Sequence, residues 1–279
     1  MPLLPVRPGV DVVGTVEKCS EDVLIRYGLR SGGRVASLIQ WGGNSRYVTV
    51  SAKQLVKVSR DINPAKAACL LENYLTAFQS LHLSDDWENK YRRDSLRGKR
   101  LLIIGGMSMI GQAMVELALT AGATKVYTPA RREHHSYLLS IGTRPLNIDN
   151  KNWLLHVKGR IDILLDPYSL GDHATSQQAM SPTGKIVYGR THIGGGNDFV
   201  VKAQELWMKA TFSSRISTYD VFDQWNVDLM ACKVSYVKST MTSSLIHFRR
   251  WRNILYLCFS STDTRDLLCT CSVGSLSPP

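Results

Sequence analysis

The sequence predicts an α/β chain, a doubly wound parallel sheet accompanied by a smaller β-rich unit. Three observations carry this reading. From residue 101 onward, short apolar runs alternate with helical segments, the order that builds a parallel sheet with crossover helices. The first of those runs enters a glycine-rich turn that opens a helix. Residues 9–59 instead carry short Val-rich runs divided by glycine pairs, a β pattern.

In the β-rich part, Val10, Val12, Val13 and Val16 form a strand-like run, followed by Arg34-Val-Ala-Ser-Leu-Ile and Tyr47-Val-Thr-Val. Gly32-Gly33 and Gly42-Gly43-Asn44 separate them. Asn63-Pro64 reads as a helix start, Asn as cap and Pro at the first helical position. Ala67, Leu70, Leu71, Tyr74, Leu75, Phe78 and Leu81 then recur at helical spacing. Residues 85–100 are polar and basic and read as a surface linker.

Leu101-Leu-Ile-Ile suits a buried parallel strand. Gly105 to Gly111 form the turn, Gln112 to Ala121 a helix with Ala113, Met114, Leu117 and Ala118 inward, and Gly122 its C-cap. Lys125-Val-Tyr-Thr, Ile161 to Asp166 and Gly184 to Gly189 supply further strands. Residues 230–279 show no strand–helix alternation and read as an unassigned tail. Leu245 to Phe259 is apolar but interrupted by Arg249, Arg250 and Arg252, either a membrane-surface helix or part of a poorly packed tail.

Composition narrows the function classes. The 279 residues are 44% hydrophobic and 20% charged, which excludes wholesale disorder. No apolar run reaches the roughly 18 residues of a membrane helix, and the start shows no secretory signal, so a cytoplasmic protein with reduced thiols is expected. None of the six cysteines makes a C-x-x-C pair, so no zinc site is expected; Cys269 and Cys271 are a weak C-x-C. The net charge of +11 raises nucleic acid as a partner. Most of that excess sits in residues 88–100 and 230–279, a linker and a tail, so no nucleic-acid partner is expected.

The turn at 105–111 carries the strongest chemistry. Its first glycine permits a tight bend and Gly111 close helix–sheet contact, aiming a helix N-terminus at a pyrophosphate. This is a Rossmann-like pattern in which Ser108 stands at the middle glycine position. Its hydroxyl either donates to phosphate or hinders backbone approach. The second strand runs into Thr128-Pro-Ala-Arg131-Arg132 with no carboxylate at its tip. Arg131 and Arg132 either meet a 2′-phosphate, favouring NADP over NAD, or are solvated surface arginines.

These residues carry a family resemblance. Pro8-Gly-Val-Asp-Val-Val-Gly-Thr-Val, Asn73-Tyr-Leu-Thr-Ala-Phe-Gln, the turn Gly105 to Gln112, Asp162-Ile-Leu-Leu-Asp166 and Ser181-Pro-Thr-Gly-Lys-Ile-Val-Tyr-Gly189 follow one another as in a known family. Over residues 8–228 the chain resembles the zinc-independent quinone oxidoreductase and enoyl reductase-like branch of the medium-chain dehydrogenase/reductase superfamily. The resemblance implies a partial GroES-like domain with its following helix at 1–84, the linker at 85–100 and a Rossmann nucleotide-binding domain at 101–229. Against the family pattern the match begins late, residues 230–279 do not resemble the returning segment, and Ser108 replaces a glycine. The chain thus looks like a member truncated at the front and altered at the back.

By resemblance, the activity is NADP(H)-dependent reduction of a quinone or enone by hydride transfer without metal. A truncated, non-catalytic relative that keeps the nucleotide fold is the alternative. The cofactor residues implied are Thr76, Gly106, Ser108, Met109, Ile110, Gly111, Thr128, Arg131, Arg132, Tyr188, Gly189 and Thr191. No catalytic residue is assigned. Tyr74 reads as a helix core aromatic, His173 and His192 as structural or surface residues. The resemblance also implies a homodimer through an edge strand near residues 211–222.

Overall fold

The computed structural model describes residues 7–83, 94–168 and 170–189, with residues 216–219 and 268–273 as strands. The chain divides into two units, residues 1–72 with 224–279, and residues 73–223.

Alternating valines build the sheet of the first unit. Strand β1 (Asp11–Lys18) buries Val12 and Val16. The short helix α1 (Glu21–Arg26) adds Val23 beneath it. Strand β2 (Arg34–Leu38) pairs antiparallel with β1, setting Val13 opposite Ala36. Strand β3 (Tyr47–Ser51) buries Val48 and Val50, and the two-residue β4 (Val56–Lys57) borders β2. A strand from the far end of the chain, β11 (Leu268–Val273), lies antiparallel between β1 and β3, in the order β3-β11-β1-β2-β4. The expected unassigned tail therefore supplies an internal strand of this sheet. The stretch at Leu245 to Phe259 lies outside the described residues. Cys19 is disulfide-bonded, so the expectation of reduced thiols fails there.

Helix α2 (Pro64–Leu83) starts where the Asn-Pro pair predicts. The Asn63 side-chain oxygen accepts from the amides of Ala65 at 2.9 Å and Lys66 at 3.3 Å. Its first nine residues belong to the first unit and the remainder to the second.

The second unit is a six-stranded sheet with every neighbouring pair parallel, in the order β10-β9-β8-β5-β6-β7. Its elements are β5 (Arg100–Ile103), α3 (Met109–Thr120), β6 (Lys125–Ala130), α4 (His135–Ser140), β7 (Arg144–Asn147), β8 (Ile161–Asp166), α5 (His173–Ala179), β9 (Met180–Gly189) and β10 (Ile216–Tyr219). Leu101, Leu102, Ile103, Leu164 and Leu165 are almost fully buried, as central parallel strands require. Helix α3 buries the four inward residues predicted and begins three residues earlier, at Met109. Strand β10 is a sheet edge, at the place where the resemblance puts one.

Strand β7 escapes the sequence reading; it is four residues with a proline, which an edge position tolerates. Residues 94–100 correct the linker expectation. Leu96 is buried and its amide bonds the Ala121 carbonyl, Arg97 bridges Ala123, and Arg100 opens β5. The basic run is thus tied to the sheet at its carboxyl end.

Asp162 and Asp166 both belong to β8, four residues apart and so on one face of the strand. Asp162 takes the Arg100 amide at 2.8 Å and a two-pronged contact from the Arg100 guanidinium at 3.1 and 3.2 Å. Burial raises the Asp162 carboxyl, but the Arg100 hydrogen bonds and charge outweigh it and hold it below its ordinary value. Ser181 adds a further bond, so one carboxylate ties β5, β8 and the start of β9 together.

Candidate functional site

In the second unit the strand order reverses between β5 and β8. Open α/β sheets bind ligands at that point, outside the carboxyl ends of the strands. Two turns meet there, residues 104–108 after β5 and 167–172 after β8.

The first turn is built by its glycines. Gly105 has φ +71°, a left-handed conformation that a side chain resists. A Cβ on Gly111 would come within 2.2 Å of the Gly105 carbonyl oxygen, so helix and turn touch only because that position is bare. Ser108 is different. Its φ of −72° is ordinary extended backbone, and nothing there demands glycine. It is the N-cap of α3, its hydroxyl oxygen accepting from the Gly111 amide at 3.0 Å. The Ser108 amide bonds Gly105 and the Gln112 amide bonds the Ser108 carbonyl. The first helical turn thus keeps the Met109 and Ile110 amides as donors for an anion, fewer than an uncapped turn offers.

Gln112 braces the turn from behind, donating to the Met107 carbonyl at 2.9 Å and accepting from Tyr137 at 2.6 Å. Thr128 lies beneath it. The side chain is fully buried, and a Cβ on Gly106 would run into its methyl group at 1.9 Å. Thr128 therefore supports the turn from inside. Thr76 is likewise buried, on α2, with Ser80 donating to its carbonyl at 2.6 Å.

At the end of β6, Arg131 and Arg132 are both exposed. Glu133, the nearest carboxylate, turns to His134 at 3.3 Å. His135 approaches the Ala130 carbonyl at 3.2 Å and holds the start of α4 against the strand end.

The second turn hangs on Asp166, which is fully buried and accepts the amides of Leu170 at 3.0 Å and Gly171 at 2.7 Å. Asp172 caps α5 through Thr175. Tyr188 is 5% exposed, and its hydroxyl lies 2.8 Å from His173 Nδ1. Burial, against a hydrogen bond from Ser176, pushes the Tyr188 phenol up to about 12. Gly189 ends β9 against the Pro167 carbonyl, where a Cβ would sit at 2.1 Å. The Tyr168 ring lies beside Gly105, 3.6 Å from where its Cβ would be. The sequence places Asp166 in a strand motif and His173 as a structural or surface residue, and assigns neither to the site. A carboxylate closing a strand just before a glycine-containing turn was the available signal. Thr191, His192 and Gly194 to Gly196 lie outside the described residues.

In the first unit, Asp11 stands beside Glu72. Burial first, and then the Glu72 charge, push the Asp11 carboxyl up to about 7; burial also raises Glu72. Among the described residues no group of three or more His, Cys, Asp or Glu is arranged to hold a metal ion. No helix among them is long and apolar enough to cross a membrane.

No protein-family model matches the chain. The human synaptic vesicle membrane protein VAT-1 homolog is 28% identical over 215 residues, covering 74% of this chain and 52% of that protein. The chain thus spans about half the length of this relative. The quinone oxidoreductase of Coxiella burnetii superposes with TM-score 0.61 at 23% identity, covering 84% of this chain and 69% of its own. Mycobacterial Rv1454c, solved as its NADPH complex, gives TM-score 0.63 at 19% identity, covering 86% and 73%. The chain is thus similar in sequence to the VAT-1 homologs and shares its fold with solved quinone and enoyl reductases.

Proposed function

We propose that the chain binds NADP(H) at the turn between β5 and α3 and serves metal-independent hydride transfer to a quinone or enone. The observation that carries this reading is the glycine turn at the sheet's switch point, flanked at the β6 end by two exposed arginines and no inward carboxylate. The amides of Met109 and Ile110 and the Ser108 hydroxyl would hold the pyrophosphate. Arg131 and Arg132 would meet the 2′-phosphate, planar guanidinium groups suiting its oxygens. Thr128 and Gly106 would keep the floor of the turn in place, and Gly189 and Thr191 would border the opposite half. Thr76 would approach the nicotinamide end only through backbone or a side-chain shift, since it is buried.

When bound, the nicotinamide supplies or takes a hydride. The protein's part is to align it with an acceptor and exclude water. Two copies would pair through edge strand β10. The proposed setting is the cytoplasm, a reading that the Cys19 disulfide weighs against.

Titration of the purified chain with NADPH and NADH, followed by fluorescence, tests the reading. Saturable NADPH binding, tighter than NADH, is expected. Absence of saturable binding below millimolar would sink it. Binding without oxidation of NADPH by a panel of quinones and enones would favour the non-catalytic relative.

A further inference from the structure

Resting on that nucleotide reading, we infer that His173 and Tyr188 form a positioning pair that sets the β8–α5 turn for the half of the dinucleotide that crosses β8 and β9. The pair lies 2.8 Å apart, Nδ1 to hydroxyl, between the first turn of α5 and the carboxyl end of β9. The Gln177 amide nitrogen lies 3.0 Å from His173 Nε2, and as a donor there it assigns the imidazole proton to Nδ1, on the side of the phenol oxygen. Burial lowers the basicity of His173, which favours this neutral form.

Gly171 lies close to both Asp166 and Ser176. A Cβ on Gly171 would lie 3.1 Å from the Asp166 carboxylate and 3.3 Å from the Ser176 hydroxyl, and Ser176 hydrogen-bonds the Tyr188 phenol. Asp166 fixes residues 170 and 171 from below, while His173 and Tyr188 fix α5 against β9. The turn held between them sets the Tyr168 ring beside Gly105 at the switch point.

The reach of the pair is one-sided. A dinucleotide laid over the switch point puts its adenosine half toward β6 and the arginines, and its other half toward β8 and β9. The pair touches only the second side. Its loss should therefore weaken the whole cofactor and spare a fragment made of the first half, which general damage to the fold would not do.

The experiment compares NADPH with 2′,5′-ADP by calorimetry on wild type, Tyr188→Phe, His173→Ala and His173→Asn. Asparagine keeps an amide donor near the Nδ1 position. Losing one well-placed hydrogen bond predicts about tenfold weaker NADPH binding for the Phe and Ala variants, unchanged 2′,5′-ADP binding, and recovery in His173→Asn. Should Tyr188→Phe fail to fold, the variants at the partly buried His173 carry the comparison. Unchanged NADPH binding in folded variants, or an equal loss for both ligands, overturns the inference and leaves the nucleotide reading standing. Wild type that binds neither ligand overturns the nucleotide reading and this inference with it.

Discussion

The Ser108 hydroxyl oxygen accepts the Gly111 amide across 3.0 Å, closing the first turn of α3 with a side chain of its own. A cap in that place has a direct cost when removed. Ser108→Ala should destabilise the second unit by about 1 kcal/mol, and Ser108→Gly by only a few tenths. Urea denaturation of the two variants checks the order. Ser108→Gly loses the hydroxyl contact proposed for the pyrophosphate but frees the Gly111 amide in its place, so its NADPH affinity should stay within a few-fold of wild type.

Gly111 admits no such tolerance. A methyl group there meets backbone at 2.2 and 2.7 Å, which no rotamer relieves. Gly111→Ala should cost about 3 kcal/mol or more and abolish NADPH binding, read from melting curves and calorimetry.

The arginines at the end of β6 set the cofactor preference in our proposal. Arg131→Ala and Arg132→Ala should each weaken NADPH about tenfold and leave NADH unchanged, since only the phosphate contact is removed. The double variant should bind the two cofactors alike. Parallel fluorescence titrations decide it, and an unchanged NADPH preference would remove the role assigned to both residues.

Asp11 gives the first unit a pH dependence. Its folded value of about 7 lies above the 3.8 of an ordinary aspartate, so the folded state holds the proton more tightly than the unfolded one. The resulting stability is complete below about pH 4 and is lost as pH rises through 7. The loss should be on the order of 1–2 kcal/mol at this partly solvated position. Asp11→Asn should flatten the profile and exceed wild type in stability at pH 8. Denaturation between pH 5 and 8 measures both, and an Asp11→Asn profile as steep as wild type would rule the explanation out.

Asp166 is the buried anchor of the second turn, and its two oxygens serve two amides. Asp166→Asn replaces one acceptor with a donor facing an amide. A cost of about 2–4 kcal/mol is expected, seen as faster hydrogen exchange at Leu170 and Gly171 before global unfolding.

Much of the second unit was legible because its signals are local. The Leu101 run, the glycine turn and the helix spacing of α3 each depend on neighbouring residues alone. The Asn63 cap was readable for the same reason. What escaped depends on distant partners. Strand β7 has only four residues and a proline to announce it, and β11 is a strand through pairing with β1 and β3. The candidate site divides in the same way. Glycine chemistry marked residues 105–111, whereas the joining of His173 to Tyr188 needs α5 folded against β9, and spacing does not encode it. Thr128 shows the converse, a residue at the right point of the chain whose side chain faces inward.

The place of β11 has a consequence for synthesis. Strands β1 and β3 leave the ribosome early, yet the strand that lies between them begins at residue 268. Until it arrives, two edges with free backbone donors and acceptors stand open. Among the described residues the strands of the parallel sheet end at residue 219, so that sheet can form first. Order of manufacture and order of completion are thus reversed: the unit begun first closes last, and in the interval its open edges are the part of the chain most exposed to pairing with another copy.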